Sequence, residues 1–157
     1  RLSEHVNDRV ESALFLRSVT IARLNDPDTI LQKLVNAVIP KAGIVLLYEP
    51  PQQAVPPSQR FYGYMETVKT DVFLVVDRME VRGMLHTKGN MEIRRYLVNQ
   101  KNAFLPITQA TVSLGKEYNL VIHEDTILVN SQKIRFLGQY PPEAGAPGSR
   151  TEPTQSP

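Results

Sequence analysis

Thr70-Asp71-Val72-Phe73-Leu74-Val75-Val76-Asp77-Arg78-Met79-Glu80-Val81-Arg82-Gly83-Met84-Leu85-His86-Thr87 is the stretch that decides the fold class. Its first arm is dense in β-branched and aromatic residues, which suit a pleated, half-buried backbone. Asp77-Arg78 interrupts, and the second arm alternates apolar with polar residues as the returning half of a hairpin does. In that register Val81 and Leu85 point to one side, and Glu80, Arg82 and His86 to the other. Phe61-Tyr62-Gly63-Tyr64-Met65 leads into the hairpin and also reads as strand.

Beyond the hairpin, Gly89-Asn90 is a turn with a helix-capping residue. Met91, Ile93, Leu97 and Val98 supply the apolar stripe of a helix of about three turns, with Arg94, Arg95 and Gln100 on its exposed face and Asn102 at its end. Strand resumes over 104–114, where Pro106, lacking an amide donor, belongs at a strand start or a sheet edge. Residues 117–123 and 125–129 read as two more short strands. Asn130-Ser131-Gln132 is a turn, and 133–137 closes the unit.

Working upstream, the first third of the chain echoes this order. Asp28-Thr29-Ile30-Leu31, Val35-Asn36, Tyr48 and Pro50-Pro51 recur as Asp125-Thr126-Ile127-Leu128, Val129-Asn130, Tyr140 and Pro141-Pro142. Leu2, Val6 and Val19-Thr20-Ile21-Ala22 match Ile93, Leu97 and Ala110-Thr111-Val112-Ser113 in type and order. A collinear series of this kind predicts two copies of one supersecondary unit. Leu2, Val6 and Val10 fit its helix, 15–24 a strand, and 43–48 another. No hairpin precedes that first helix, so the first copy is incomplete. The missing hairpin is expected in sequence before Arg1 or from another strand.

Residues 26–39 are ambiguous. Asp26-Pro27 is a good helix start, and Ile30, Leu31, Leu34, Val35, Val38 and Ile39 have helical spacing, so the local pattern favours helix. The repeat equates Asp28-Thr29-Ile30-Leu31 with a strand. The expected fold is therefore α+β and β-dominated, two repeats of a short helix plus an antiparallel meander, as a small sheet or a partly open barrel. Residues 1–49 form the incomplete first repeat, 50–60 a proline-rich linker, 61–140 the complete second repeat, and 141–157 a polar, disordered tail.

At 157 residues the chain can bury a modest core. It has no cysteine, which excludes disulfides and thiolate metal sites and suits a cytoplasmic protein. Its longest apolar runs are strand-sized, too short for a membrane span. A formal net charge of +2 with interspersed signs argues against a dedicated polyanion binder.

Catalytic signatures are missing from the sequence. His5, His86 and His123 have no neighbour at metal-ligand spacing, and the serines Ser3, Ser18, Ser113 and Ser131 lack a nucleophile elbow. The few dispersed glycines build no phosphate loop, and the carboxylates Asp26, Asp28, Glu124 and Asp125 sit where helix starts and turns want them. No enzyme activity, cofactor or metal is expected. The one basic cluster is Lys88, Arg94, Arg95 and Lys101 with Arg82 on the adjoining hairpin. With Tyr96 or Tyr62 nearby it could contact phosphates while a ring stacks on a base.

Val81-Arg82-Gly83 with Leu85-His86, Tyr96-Leu97-Val98-Asn99, Phe104-Leu105-Pro106-Ile107-Thr108 and the closing Val129-Asn130 with Ile134 resemble a family of small bacterial β-domains of uncharacterised function. Arg1-Leu2-Ser3-Glu4-His5-Val6-Asn7 resembles that family's helix too. The resemblance covers half to two-thirds of the chain and implies two tandem copies, but carries over no active-site residue. It departs from the pattern at 32–43, where the spacing is lengthened. The leading expectation is a non-enzymatic protein-binding or self-associating assembly module that offers sheet edges, the proline spacer and the tail to partners. A nucleic-acid-binding small barrel using the basic helix face is the alternative, and a regulatory small-ligand domain a further one.

Overall fold

The hairpin expected from residues 70–87 is present, closed by the two-residue turn Asp77-Arg78. Asp77 takes the positive φ, 54°, that the first position of a tight primed turn demands. A computed structural model describes residues 2–49, 67–89, 95–96, 98, 102–115 and 120–141. In chain order its elements are α1 (Leu2–Asn7), β1 (Ala13–Arg23), β2 (Asp26–Pro40), β3 (Leu46–Tyr48), β4 (Thr67–Val76), β5 (Met79–Lys88), β6 (Phe104–Leu114), β7 (Leu120–Asn130) and β8 (Ile134–Gln139). One-turn 3-10 helices follow β2 at Lys41–Gly43 and β7 at Ser131–Lys133. The molecule is β-dominated, as expected. It has two antiparallel sheets, one of six strands in the order β3-β7-β6-β5-β4-β8 and one made of β1 and β2 alone. Among the described residues β3 and β8 remain edges, so no barrel closes.

Alternation along the strands places the core. Val72, Leu74 and Val76 of β4, Val81 and Leu85 of β5, Ile107 and Val112 of β6, and Ile127 and Val129 of β7 form one buried cluster. Each such side chain contributes about 1.5–3 kcal/mol on burial. The sheet is covered on its other face near β6 and β7, where α1 sets Val6 against Ile44, Phe104 and Leu128. This explains the unbroken apolar run Ile127-Leu128-Val129, since a strand covered on both faces has no polar side.

Buried and half-buried polar groups join the pieces. Asn7 Nδ2 donates to the Phe104 carbonyl at 3.2 Å, and its Oδ1 accepts from the Phe104 amide at 2.8 Å, so the side chain acts as a one-residue extension of the sheet. Lys41 Nζ donates to the carbonyls of His5 at 3.1 Å and Asp8 at 2.7 Å, satisfying acceptors at the end of α1. Asn130 Nδ2 donates to the carbonyls of Lys41 and Ile44, at 3.2 and 2.8 Å, while its Oδ1 accepts from the Gln132 amide at 3.0 Å.

Several expectations are corrected. Residues 26–40 are strand, not helix: the apolar spacing of four that suggests a helix is also an even number, so it serves a strand with apolar groups on both faces. The stretches 117–123 and 125–129 are not two strands; 120–130 is continuous, paired with β6 from Leu114↔Leu120 to Phe104↔Asn130. The first helix stops at Asn7, short of Val10, because Asn7 turns to the Phe104 backbone and Asp8 Oδ1 accepts from the Val10 amide at 2.9 Å. The stretch 43–48 is strand only from Leu46. On the second helix, of which Arg95, Tyr96 and Val98 are described, Tyr96 packs on the core while Val98, expected on the apolar stripe, is 80% exposed; Met91, Ile93 and Leu97 lie outside the described residues. The Phe61-to-Met65 strand, the linker 50–60 and the tail from 142 lie outside the described residues.

The element order α1-β1-β2-3-10 turn-β3 recurs as second helix-β6-β7-3-10 turn-β8. β1 and β6 are 11 residues each, and Val19-Thr20-Ile21-Ala22 and Ala110-Thr111-Val112-Ser113 hold the same positions within them. The Lys41 amide donates to the Ser12 carbonyl at 2.9 Å, and the Ser131 amide likewise to Ala103 at 2.8 Å. Counted back from those turns, however, Asp125-Thr126-Ile127-Leu128 answers Val35-Asn36-Ala37-Val38 rather than Asp28-Thr29-Ile30-Leu31. The tetrapeptide echo lies out of register with the architecture around it.

Candidate functional site: an exposed β ribbon

β1 and β2 pair from Ala13↔Pro40 to Arg23↔Asp26 and turn at Leu24-Asn25. At about 3.3–3.4 Å per residue the 15-residue β2 extends about 50 Å. Among the described residues only the base of this ribbon is anchored, through Leu14 and Ile39 against the cluster under α1. Farther out, Phe15, Ile21, Ile30, Leu31, Val35 and Val38 are exposed, Phe15 by 76% and Val35 by 81%. Phe15 and Val38 are direct cross-strand partners, so their apolar groups form one patch. An isolated two-stranded ribbon is marginal in water. This contiguous exposed apolar surface makes the ribbon the candidate site.

Ser18, in the middle of β1, has φ 52°. Gln109 of β6 has φ 49°, and each is the sixth residue of its strand. In β6 the reason is visible: Arg82 pairs with Thr111 and Met84 with Thr108, so Gln109 and Ala110 together oppose Gly83 in a β-bulge. A Cβ on Gly83 would lie 2.6 Å from Ile107 Cγ2 and 2.7 Å from the Thr108 carbonyl oxygen, so the bulge admits only glycine opposite it. Neither left-handed position is legible in the sequence, because serine and glutamine carry no signature for such a backbone.

The sequence-derived site residues fare differently. Arg82 is exposed on β5, its guanidinium carbon 5.7 Å from the centroid of the Phe73 ring, and that ring is 6.2 Å from Phe136. Arg95 is exposed on the second helix. Lys88 ends β5 with its backbone opposite Thr67, but its side chain, with Arg94 and Lys101, lies outside the described residues. His5 is on α1. His86 Nε2 hydrogen-bonds with Thr108 Oγ1 at 2.8 Å, and His123 Nδ1 with Thr111 Oγ1 at 3.1 Å. Among the described residues no three His, Asp or Glu side chains gather as a metal site requires. No described helix is long and apolar enough to cross a membrane.

Compared with family models, with curated proteins and with solved structures, the chain matches none of them.

Proposed function

We propose that this chain is a non-enzymatic binding and assembly module, built from two copies of one helix-and-hairpin unit, and that the β1–β2 ribbon is its docking element. One observation carries the reading: among the described residues a long ribbon is anchored only at its base, exposes Phe15, Val35 and Val38, and has no further strand on either edge. Such edges are templates for strand addition, and such apolar groups gain by being covered. The resemblance to small bacterial β-domains adds the duplication. The equal lengths of β1 and β6 and the matching turn hydrogen bonds support it.

The test is a Phe15→Asp, Val35→Asp double variant compared with the wild type. Because both side chains are exposed, the fold should survive, with stability changed by about 0.5 kcal/mol or less per site. Sedimentation over a concentration series, together with quantitative capture of partners, should show association by the wild type that the variant loses. A wild type that stays monomeric and retains nothing beyond what the variant retains would remove the reading.

A second reading, nucleic-acid binding, finds support in Arg82 over Phe73 beside the half-exposed Phe136, two rings and one cation on the side of the sheet away from the core. It predicts salt-dependent binding of a short single-stranded oligonucleotide that Arg82→Ala weakens. Identical retention of both proteins on a polyanion column would dismiss it.

A further inference from the structure

The outer edge of β1 is shaped for one kind of strand, and the chain contains the template. In the six-stranded sheet, the bulge at Gln109 faces β5, whose Gly83 fills it; pairing with β7 on the other side keeps its register across the same residue. In β1 the left-handed residue is Ser18, and pairing with β2 likewise keeps register across it, from Arg17↔Asn36 to Val19↔Leu34. The irregularity therefore faces the outer edge, which carries no strand among the described residues. A non-glycine residue held at positive φ is a local cost, here at a site whose counterpart in β6 is used for pairing.

We propose, resting on the ribbon as docking element, that this edge binds an acidic, glycine-containing strand of a partner protein by antiparallel β-addition. Transferring the β5–β6 register position by position sets the strand's pattern. Its residues face Arg23, Ala22, Ile21 and Thr20 in turn, then the Ser18-Val19 bulge, then Arg17 and Leu16. The residue facing Ser18 and Val19 must be glycine, because the backbone that crowds Gly83, the Thr108 carbonyl and the Ala110 α-carbon, has its counterpart in Arg17 and Val19. Those facing Ile21 and Leu16 are apolar, as Val81 and Leu85 are opposite Val112 and Ile107. β1 carries Arg17 and Arg23 and no acidic residue, so the positions facing them are acidic, since opposite charges across a ladder attract and like charges repel.

The experiment uses the whole chain and a labelled seven-residue peptide: acidic residues first and sixth, valine third and seventh, glycine fifth, threonine elsewhere. Saturable binding is expected, weakened about tenfold or more when the peptide glycine becomes valine and when both acidic residues become lysine. Ser18→Val, whose branched side chain cannot hold the left-handed backbone, should lose binding. The glycine comparison is made on unaltered protein, so misfolding of Ser18→Val cannot rescue the idea. Equal binding of the glycine and valine peptides, or no saturable binding, overturns it. Self-association of the wild type that the Phe15→Asp, Val35→Asp variant loses and the peptide does not compete also overturns it, assigning the ribbon to a second copy while leaving the docking reading intact.

Discussion

Gly83 holds the sheet where no side chain fits, and Asn130 where one amide side chain joins two turns. At Gly83 the obstruction includes a backbone carbonyl and an α-carbon, which cannot swing aside as a side-chain tip does. Gly83→Ala should destabilise the protein by about 1–3 kcal/mol, read as a lower urea midpoint at unchanged slope. Asn130 satisfies two buried carbonyls of the 41–44 turn and one amide of its own turn. At about 0.5–1.5 kcal/mol per bond, with added cost for stranded partners, Asn130→Leu should cost about 2–4 kcal/mol by the same measurement. A loss below about 1 kcal/mol would mean that water replaces the side chain. These roles were only partly legible. Nothing in the quoted hairpin marks Gly83, because the bulge that requires it sits on β6. Asn130 reads as a turn residue, which it is, while its two longer-range bonds reach Lys41 and Ile44, far away in sequence.

Among the elements, the β4–β5 hairpin was legible because its pattern is local, with one buried and one open face. β2 was not, because Leu34, Val35, Val38 and Ile39 satisfy both a helical stripe and a strand apolar on both faces; pairing with β1 decides the matter, and no local pattern records it. α1 is a six-residue helix, too short to persist alone, and depends on its tertiary bonds. Lys41→Met keeps the aliphatic stem but leaves the His5 and Asp8 carbonyls without their buried donor. It should destabilise by about 1–3 kcal/mol, with the gain in amide hydrogen exchange concentrated in α1 and at Phe104. Uniform acceleration across β4 to β7 would show that α1 and the sheet open as one unit.

For the whole molecule, the division between a packed sheet and a ribbon held only at its base predicts two levels of stability. The six-stranded sheet owns the main buried cluster, whereas the ribbon contributes Leu14 and Ile39 to the smaller one and leaves most of its length in solvent. Sub-global opening should therefore release the outer ribbon first. Amides of residues 18–34 should exchange orders of magnitude faster than those of β4 to β7 in the isolated protein, and slow on addition of the strand that completes β1. A shortened variant, with residues 15–38 replaced by a tight two-residue turn that closes the hairpin at Leu14↔Ile39, tests the same division from the other side. It removes neither Leu14 nor Ile39, so the urea midpoint of the sheet should change by no more than about 1 kcal/mol equivalent, while association through the ribbon disappears. Collapse of the sheet in that variant would make the ribbon part of one cooperative core, and its exposed apolar residues would then need an explanation other than docking.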